Sequence, residues 1–281
     1  MLPALRFPGR PGAGGCAAQV RGADSTASVR RAATCLVLAA ACLLPAARCA
    51  AAPEEIQVYT DDLTEPGRFG LDLHGNEVIS GDAEPGWPGA QSAVRRFRLT
   101  PEFYYGLSRE LELGLYLLGT RAAGGDPEFD GSKVRLKYIP RHDDTAGAFW
   151  GVNTEVGRTS LRVAENPWNA ELKGIAGVRR AGWLLAANLD LDRPLGRSAA
   201  TTLGVDLKAS WERRPALAPG IEYYGELGTF GRLGHLGRNA QTLYAVLDSD
   251  LKVFRLNAGL GRALTGEGDR WVVKFILGVE F

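Results

Sequence analysis

Beyond its first 49 residues this chain of 281 has no thiol. All four cysteines, Cys16, Cys35, Cys42 and Cys49, lie in that leading stretch. The remainder therefore has no disulfide framework, no thiol nucleophile and no thiolate metal site. Histidine is scarce as well, with His74, His142 and His235 the complete set. No run of eighteen apolar residues occurs, which excludes a bundle of membrane-spanning helices. Heptads and long amphipathic helices are also missing. Neither sign of charge dominates, with 33 basic against 32 acidic residues. Glycine, by contrast, is abundant at 36 residues.

The amino-terminal region accounts for the cysteines. Arg30 and Arg31 precede an apolar run from Ala32 to Ala47, and the small residues Ala50, Ala51 and Ala52 follow it. A basic segment, a short apolar segment and a small-residue cleavage site are the three parts of a secretory signal. The run is shorter than the ~20 residues a spanning helix needs, and Pro45 interrupts it. Cleavage is expected after Ala51, with residues 1–51 as the leader. Residues 1–28 are rich in Gly, Pro and Ala and show no apolar periodicity, so translation is expected to start at Val29. The leader takes six arginines and one aspartate with it. That leaves 27 basic and 31 acidic residues, a net charge of −4. Such a balance argues against nucleic acid as a partner.

After the leader, apolar and polar residues alternate in short segments separated by Gly, Pro, Asp and Asn. Regular short strands with turn signals indicate an all-β sandwich or barrel. Twelve strands are predicted, at about 68–81, 93–106, 110–121, 131–140, 148–158, 168–179, 182–193, 201–212, 219–230, 240–249, 253–264 and 270–281. Each is close to the ~9–11 residues a tilted strand needs to cross a bilayer. Alternate side chains of a strand point to opposite faces. One face carries Phe97, Leu99, Phe103 and Tyr105, then Leu113, Leu115 and Leu117, then Leu203, Val205, Leu207 and Ala209. The other carries Arg96, Arg98, Glu102, Arg135, Lys137, Glu155, Lys173 and Lys208, with Asp72 and His74 in the first strand. Segment 52–67 is acidic, with a short β-like piece at Ile56 and Val58. It is expected to lie in the periplasm or fold into the lumen.

The last eleven residues, Trp271 to Phe281, decide between sandwich and barrel. Trp271, Val273, Phe275, Leu277, Val279 and Phe281 are apolar at every second position. An exposed apolar edge strand invites aggregation in a soluble protein. This tail resembles the carboxy-terminal signature of Gram-negative outer-membrane barrels, in which Phe275, Leu277, Val279 and Phe281 would form the assembly signal. The resemblance implies an antiparallel transmembrane β-barrel of about twelve strands (10–14) over residues 68–281, lodged in the cell outer membrane. Its partners would be outer-membrane lipid, the barrel assembly machinery at the closing strand, and small solutes. The aromatics agree. With both termini on one side, Phe69, Tyr105, Tyr138, Trp150, Trp183, Trp211, Phe254 and Phe281 fall near that end of their strands. Trp168 and Trp271 fall near the other. Aromatic girdles of this kind flank the apolar band of membrane barrels.

Chemistry is harder to find. Lipid-hydrolysing barrels need a serine and a histidine within hydrogen-bond reach. Here His142 is followed by Asp143, Asp144 and Thr145, and His235 sits in an outer loop. The stretch Gly231 to Gly234 has no helix after it, so a phosphate cradle is not supported. No His/Asp/Glu spacing calls for a metal, and no cofactor is implied. The remaining candidates are the inward charges Asp72, His74, Arg96, Arg98, Glu102, Arg135, Lys137, Glu155, Lys173 and Lys208. Arg96, Arg98, Arg135, Lys137 and Glu155 are expected to form a constriction. Balanced signs suggest cross-strand ion pairs that partly fill a narrow lumen. The expected function is a narrow passive pore for small solutes; the alternatives are a lipid-modifying barrel enzyme and a structural or adhesive barrel. Deletion of Phe281 is expected to impair assembly, read as loss of heat-modifiable gel migration in outer-membrane fractions.

Overall fold

The computed structural model describes residues 55–140, 147–196, 200–214, 216–233, 239–266 and 269–281. The expected leader, His142 and His235 lie outside the described residues. Among the described residues, thirteen strands form one antiparallel sheet. They are β1 (Phe69–Ser80), β2 (Phe97–Gly106), β3 (Leu111–Arg121), β4 (Pro127–Tyr138), β5 (Gly147–Thr159), β6 (Trp168–Arg180) and β7 (Trp183–Pro194). They continue as β8 (Thr202–Trp211), β9 (Ala218–Thr229), β10 (Arg232–Leu233), β11 (Gln241–Asp250), β12 (Arg255–Ala263) and β13 (Trp271–Glu280). Twelve of them make the wall of a closed barrel. The two-residue β10 only extends a hairpin from β9.

Closure runs through β1 and β13, paired from Gly70↔Glu280 to Ser80↔Trp271. Phe69 and Phe281 exchange both backbone hydrogen bonds, at 3.2 and 2.9 Å. Each wall strand thus has a partner on both sides, and no edge is left open. The expected twelve strands all appear, with two boundaries corrected. The second begins at Phe97 rather than 93, after Arg95 with φ 53° breaks the extended backbone. The fourth begins at Pro127 rather than 131, because a bulge between Leu118 and Gly119 lets the β3–β4 ladder continue past Gly131. Gly131 has φ +142°, and a Cβ there would run into the Arg158 carbonyl.

Connections differ between the two ends. At the end that holds both termini they span 107–110, 139–146, 181–182, 212–217 and 251–254; at the opposite, loop end they span 81–96, 122–126, 160–167, 195–201, 230–240 and 264–270. The tightest is Ala181–Gly182, where both residues have positive φ, 54° and 81°. That is the backbone of a type I′ hairpin turn, whose twist matches the flanking strands.

The exterior is apolar. Leu99, Phe103, Leu113, Leu115, Leu117, Val134, Leu136, Leu185, Leu207, Ile221, Leu243, Leu260 and Val273 are all exposed. In water such a continuous apolar surface would be an aggregation liability; against lipid it is the favourable outer face of a barrel. Aromatics border this belt. Phe69 is opposite Tyr105 with ring centroids 4.5 Å apart, and Trp183 is opposite Trp211. At the loop end, Trp168 faces Arg158 and Trp271 faces Arg262. Phe275, Leu277, Val279 and Phe281, the residues expected to form an assembly signal, all lie on the outer face of the closing strand.

The packed core is inside the barrel. Two apolar clusters occur there: Ile56 packs with Val78, Ala93, Tyr244, Val246 and Val272, and Val58 and Tyr59 pack with Ile139, Phe149, Ile175, Leu184 and Ala186. Both clusters recruit residues from the segment that precedes β1. Leu115 sits at mid-strand on the lipid side, 41% exposed. Leu115→Arg is expected to cost about 2–4 kcal/mol at the bilayer midplane, measured by reversible urea unfolding in lipid vesicles.

Candidate functional site

The interior is built by strand parity. Every second residue of each strand points inward, and these positions carry the charges. Taking charge out of water costs several kcal/mol per ion unless it is paired. The lumen accordingly shows a set of ion pairs that jump between strands. Lys173 on β6 reaches Asp190 on β7 at 3.1 Å and Asp206 on β8 at 3.2 Å. Lys208 on β8 reaches Glu222 on β9 at 3.1 Å and Asp248 on β11 at 2.8 Å. Lys274 on β13 pairs closely with Glu222, and both are almost wholly buried. Arg135 on β4 bridges Glu102 on β2 at 2.6 Å and Glu112 on β3 at 2.7 Å. His74 Nε2 lies 3.0 Å from the other oxygen of Glu102.

All ten candidate charges point inward. His74, Arg96, Arg98, Glu102, Arg135, Lys137, Glu155 and Lys173 are buried, while Asp72 and Lys208 are half-buried. They do not form one constriction. Arg96 precedes β2 at the loop end, where it meets Asp269 at 3.4 Å. Arg98 follows it at the same end of β2. Arg135 and Lys137 lie in the terminal half of β4, and Glu155 sits beside Arg135 in the β4–β5 register. The expectation that these five form a constriction is therefore corrected. Parity gives the face of a residue but not its height, and height comes from register.

The narrowing is made instead by residues 55–64, which pass through the lumen before β1. Asn188 holds this segment as a strand would, accepting the Tyr59 N–H at 2.7 Å and donating to the Tyr59 carbonyl at 3.0 Å. Lys274 donates to the Ile56 carbonyl at 2.9 Å, Glu112 accepts the Thr64 N–H at 2.7 Å, and Lys137 donates to the Asp62 carbonyl. Arg179 pairs with Asp61. Tyr59, only 3% exposed, is the centre of the arrangement. Its hydroxyl meets Tyr116 at 2.8 Å and Glu155 at 3.1 Å. Arg135, Lys137 and Lys173 lie 5.7, 5.4 and 5.3 Å from its ring centroid, within cation–π range. Burial, then the neighbouring Glu55, Tyr116 and Glu155, push its phenol well above the ordinary range, so it is a neutral donor.

Two large cavities flank this segment among the described residues. One, of about 430 Å³, lies toward the terminal end and is lined by Asp72, Glu102, Tyr104, Lys137, Arg179 and Arg255 among others. The second, of about 370 Å³, lies toward the loop end, with Glu155, Lys173, Asp190, Asp206, Glu226 and Asp269 in its wall. Gln57 lines both. The structure is thus a polar lumen divided by its own chain.

In a comparison of folds, this chain is similar to the COG4313 outer membrane channel from Pseudomonas putida F1. The two share 13% identity and a TM-score of 0.56, over 81% of this chain and 100% of that one. The fold is that of an outer-membrane β-barrel. It is also similar to the KdgM porin in complex with disordered oligogalacturonate (10% identity, TM-score 0.48, 75% of this chain and 98% of that one). LpxR from Salmonella typhimurium is similar at 10% identity and a TM-score of 0.40, over 75% of this chain and 99% of that one. No protein-family model and no curated protein sequence matches this chain.

Sequence reasoning missed Tyr59 and the inward tyrosines Tyr104, Tyr116, Tyr224 and Tyr244. The last four share parity with the lumen charges, which was the available signal. For Tyr59, the Ile56 and Val58 alternation marked a strand-like piece but not its partners. The Glu222–Lys274 pair tests the interior. Lys274→Met leaves a buried carboxylate with one partner fewer and is expected to cost about 3 kcal/mol in vesicle unfolding. The double change Glu222→Gln with Lys274→Met is expected to recover part of that loss.

Proposed function

We propose that this protein is a narrow passive pore of the outer membrane for small polar or amphipathic solutes, closed in the described arrangement by its own residues 55–64. The observation that carries this reading is the pair of polar cavities on either side of that segment. A barrel whose interior were purely structural would be filled by side chains. Here roughly 800 Å³ of cavity is left, as judged from the two volumes and in the range of a small-molecule site. The segment is held by apolar packing of Ile56, Val58 and Tyr59 and by hydrogen bonds and ion pairs, and the latter can be exchanged for water or for a polar solute. The lining carries both signs of charge, which favours polar solutes of mixed character over one strongly charged class. Outer-membrane lipid would cover the apolar belt, and the barrel assembly machinery would read Phe275, Leu277, Val279 and Phe281.

Planar-bilayer recording tests the reading. Full-length refolded protein is expected to give small, infrequent steps, and deletion of residues 55–62 is expected to raise the unit conductance several-fold. If both proteins fold, by heat-modifiable migration, and neither conducts, the pore reading fails.

A further inference from the structure

The lumen also brings together a group that neither the wall nor the pore requires. Asp72 and His74 lie two apart on β1, so their side chains share the inward face. Glu102 on β2 is the direct cross-strand partner of Asp72. One donor atom from each of the three lies within 4.8 Å of the others. Like charges placed directly opposite on neighbouring strands are destabilising, so Asp72 beside Glu102 needs a cation between or around them.

The protein meets that need incompletely. Glu102 gives one oxygen to Arg135, at 2.6 Å, and turns the other to His74, at 3.0 Å. Asp72 accepts from the Tyr104 hydroxyl at 3.1 Å, and Tyr104 in turn accepts from Arg255 at 3.0 Å. His74 is 2% exposed, yet its Nδ1 has no hydrogen-bond partner. A buried imidazole nitrogen left unsatisfied costs free energy and calls for a ligand.

We propose that Asp72, His74 and Glu102 bind a divalent transition-metal ion, zinc above all. One imidazole and two carboxylates are a donor set that zinc accepts, and three protein ligands with one open position are the usual arrangement of an accessible zinc site. Calcium would demand six to eight oxygens, and magnesium avoids imidazole. Bonds of ~2.1 Å at tetrahedral angles put donor atoms ~3.4 Å apart, so closing the site needs shifts of about 1 Å. Side-chain rotation of Asp72 and Glu102 supplies that. Both carboxylates also line the cavity of about 430 Å³, which gives an ion its way in and leaves its fourth position facing the lumen. The ion would supply the positive charge between Asp72 and Glu102, a place that Arg135 does not take because it bridges Glu102 and Glu112. The inference is independent of whether the barrel conducts.

Cobalt titration of the refolded full-length chain in detergent, with Cys16, Cys35, Cys42 and Cys49 replaced by serine to remove competing thiolates, tests it, read by the visible d–d absorption. The expected result is saturation at one ion per chain and displacement by zinc. His74→Gln and Asp72→Asn are each expected to weaken binding at least 10-fold. The double control His142→Gln with His235→Gln is expected to leave it unchanged. Heat-modifiable migration establishes that each variant folds; if one does not, the other carries the test. Absence of saturable binding overturns the proposal, and so does binding that survives both lumen variants or is lost in the control.

Discussion

Everything in this structure depends on one constraint. Hydrocarbon offers no partner for a backbone N–H or C=O, and each one left open in lipid costs several kcal/mol. Helices were excluded by the lack of long apolar runs, so the chain must satisfy its strands by pairing each with two neighbours. The β1–β13 seam completes that pairing. With closure in place, the outward positions are free to be apolar. Leucine after leucine on β3 is a liability on any sheet with an edge and an asset on this one.

Closure creates the second problem, an interior too wide for side chains from the wall alone to fill. Charged residues at inward positions are tolerated only as pairs, and they are shared across strands, as Glu222 is between Lys208 and Lys274. What the wall cannot fill, residues 55–64 fill in part. Tyr59 brings an apolar ring and a neutral donor to a place surrounded by Arg135, Lys137 and Lys173. The same geometry that neutralises the interior leaves cavities on both sides, and those are what give the barrel a functional reading.

The wall was legible in the amino-acid order because a period of two is local. Leu113, Leu115 and Leu117 declare their face without reference to any other strand, and the tail from Trp271 to Phe281 does the same. The start of β4 was not legible, because a bulge at Leu118 depends on how two strands meet. The interior was legible only as a list. Parity put Arg96 and Arg135 on one face, but only register shows that they lie at different heights with different partners. Asp72, His74 and Glu102 illustrate the same limit. Spacing along β1 gives two of them, and the third arrives from β2, 28 residues away. Tyr59 was invisible for another reason: its environment is made by strands β3 to β7, none of which is near it in the chain.

The seam has a kinetic side. Gly70 and Glu280 are paired although roughly 210 residues separate them, so the contact that closes the sheet is among the most non-local the chain can make. Contacts of that kind are slow, because the entropy of closing the loop must be met before any bond rewards it. Until β13 arrives, β1 presents an unpaired edge and its neighbours an apolar face. The finished barrel has no edges, but every intermediate on the way to it has two. The first and last strands therefore set the time during which this protein is most exposed to misassembly.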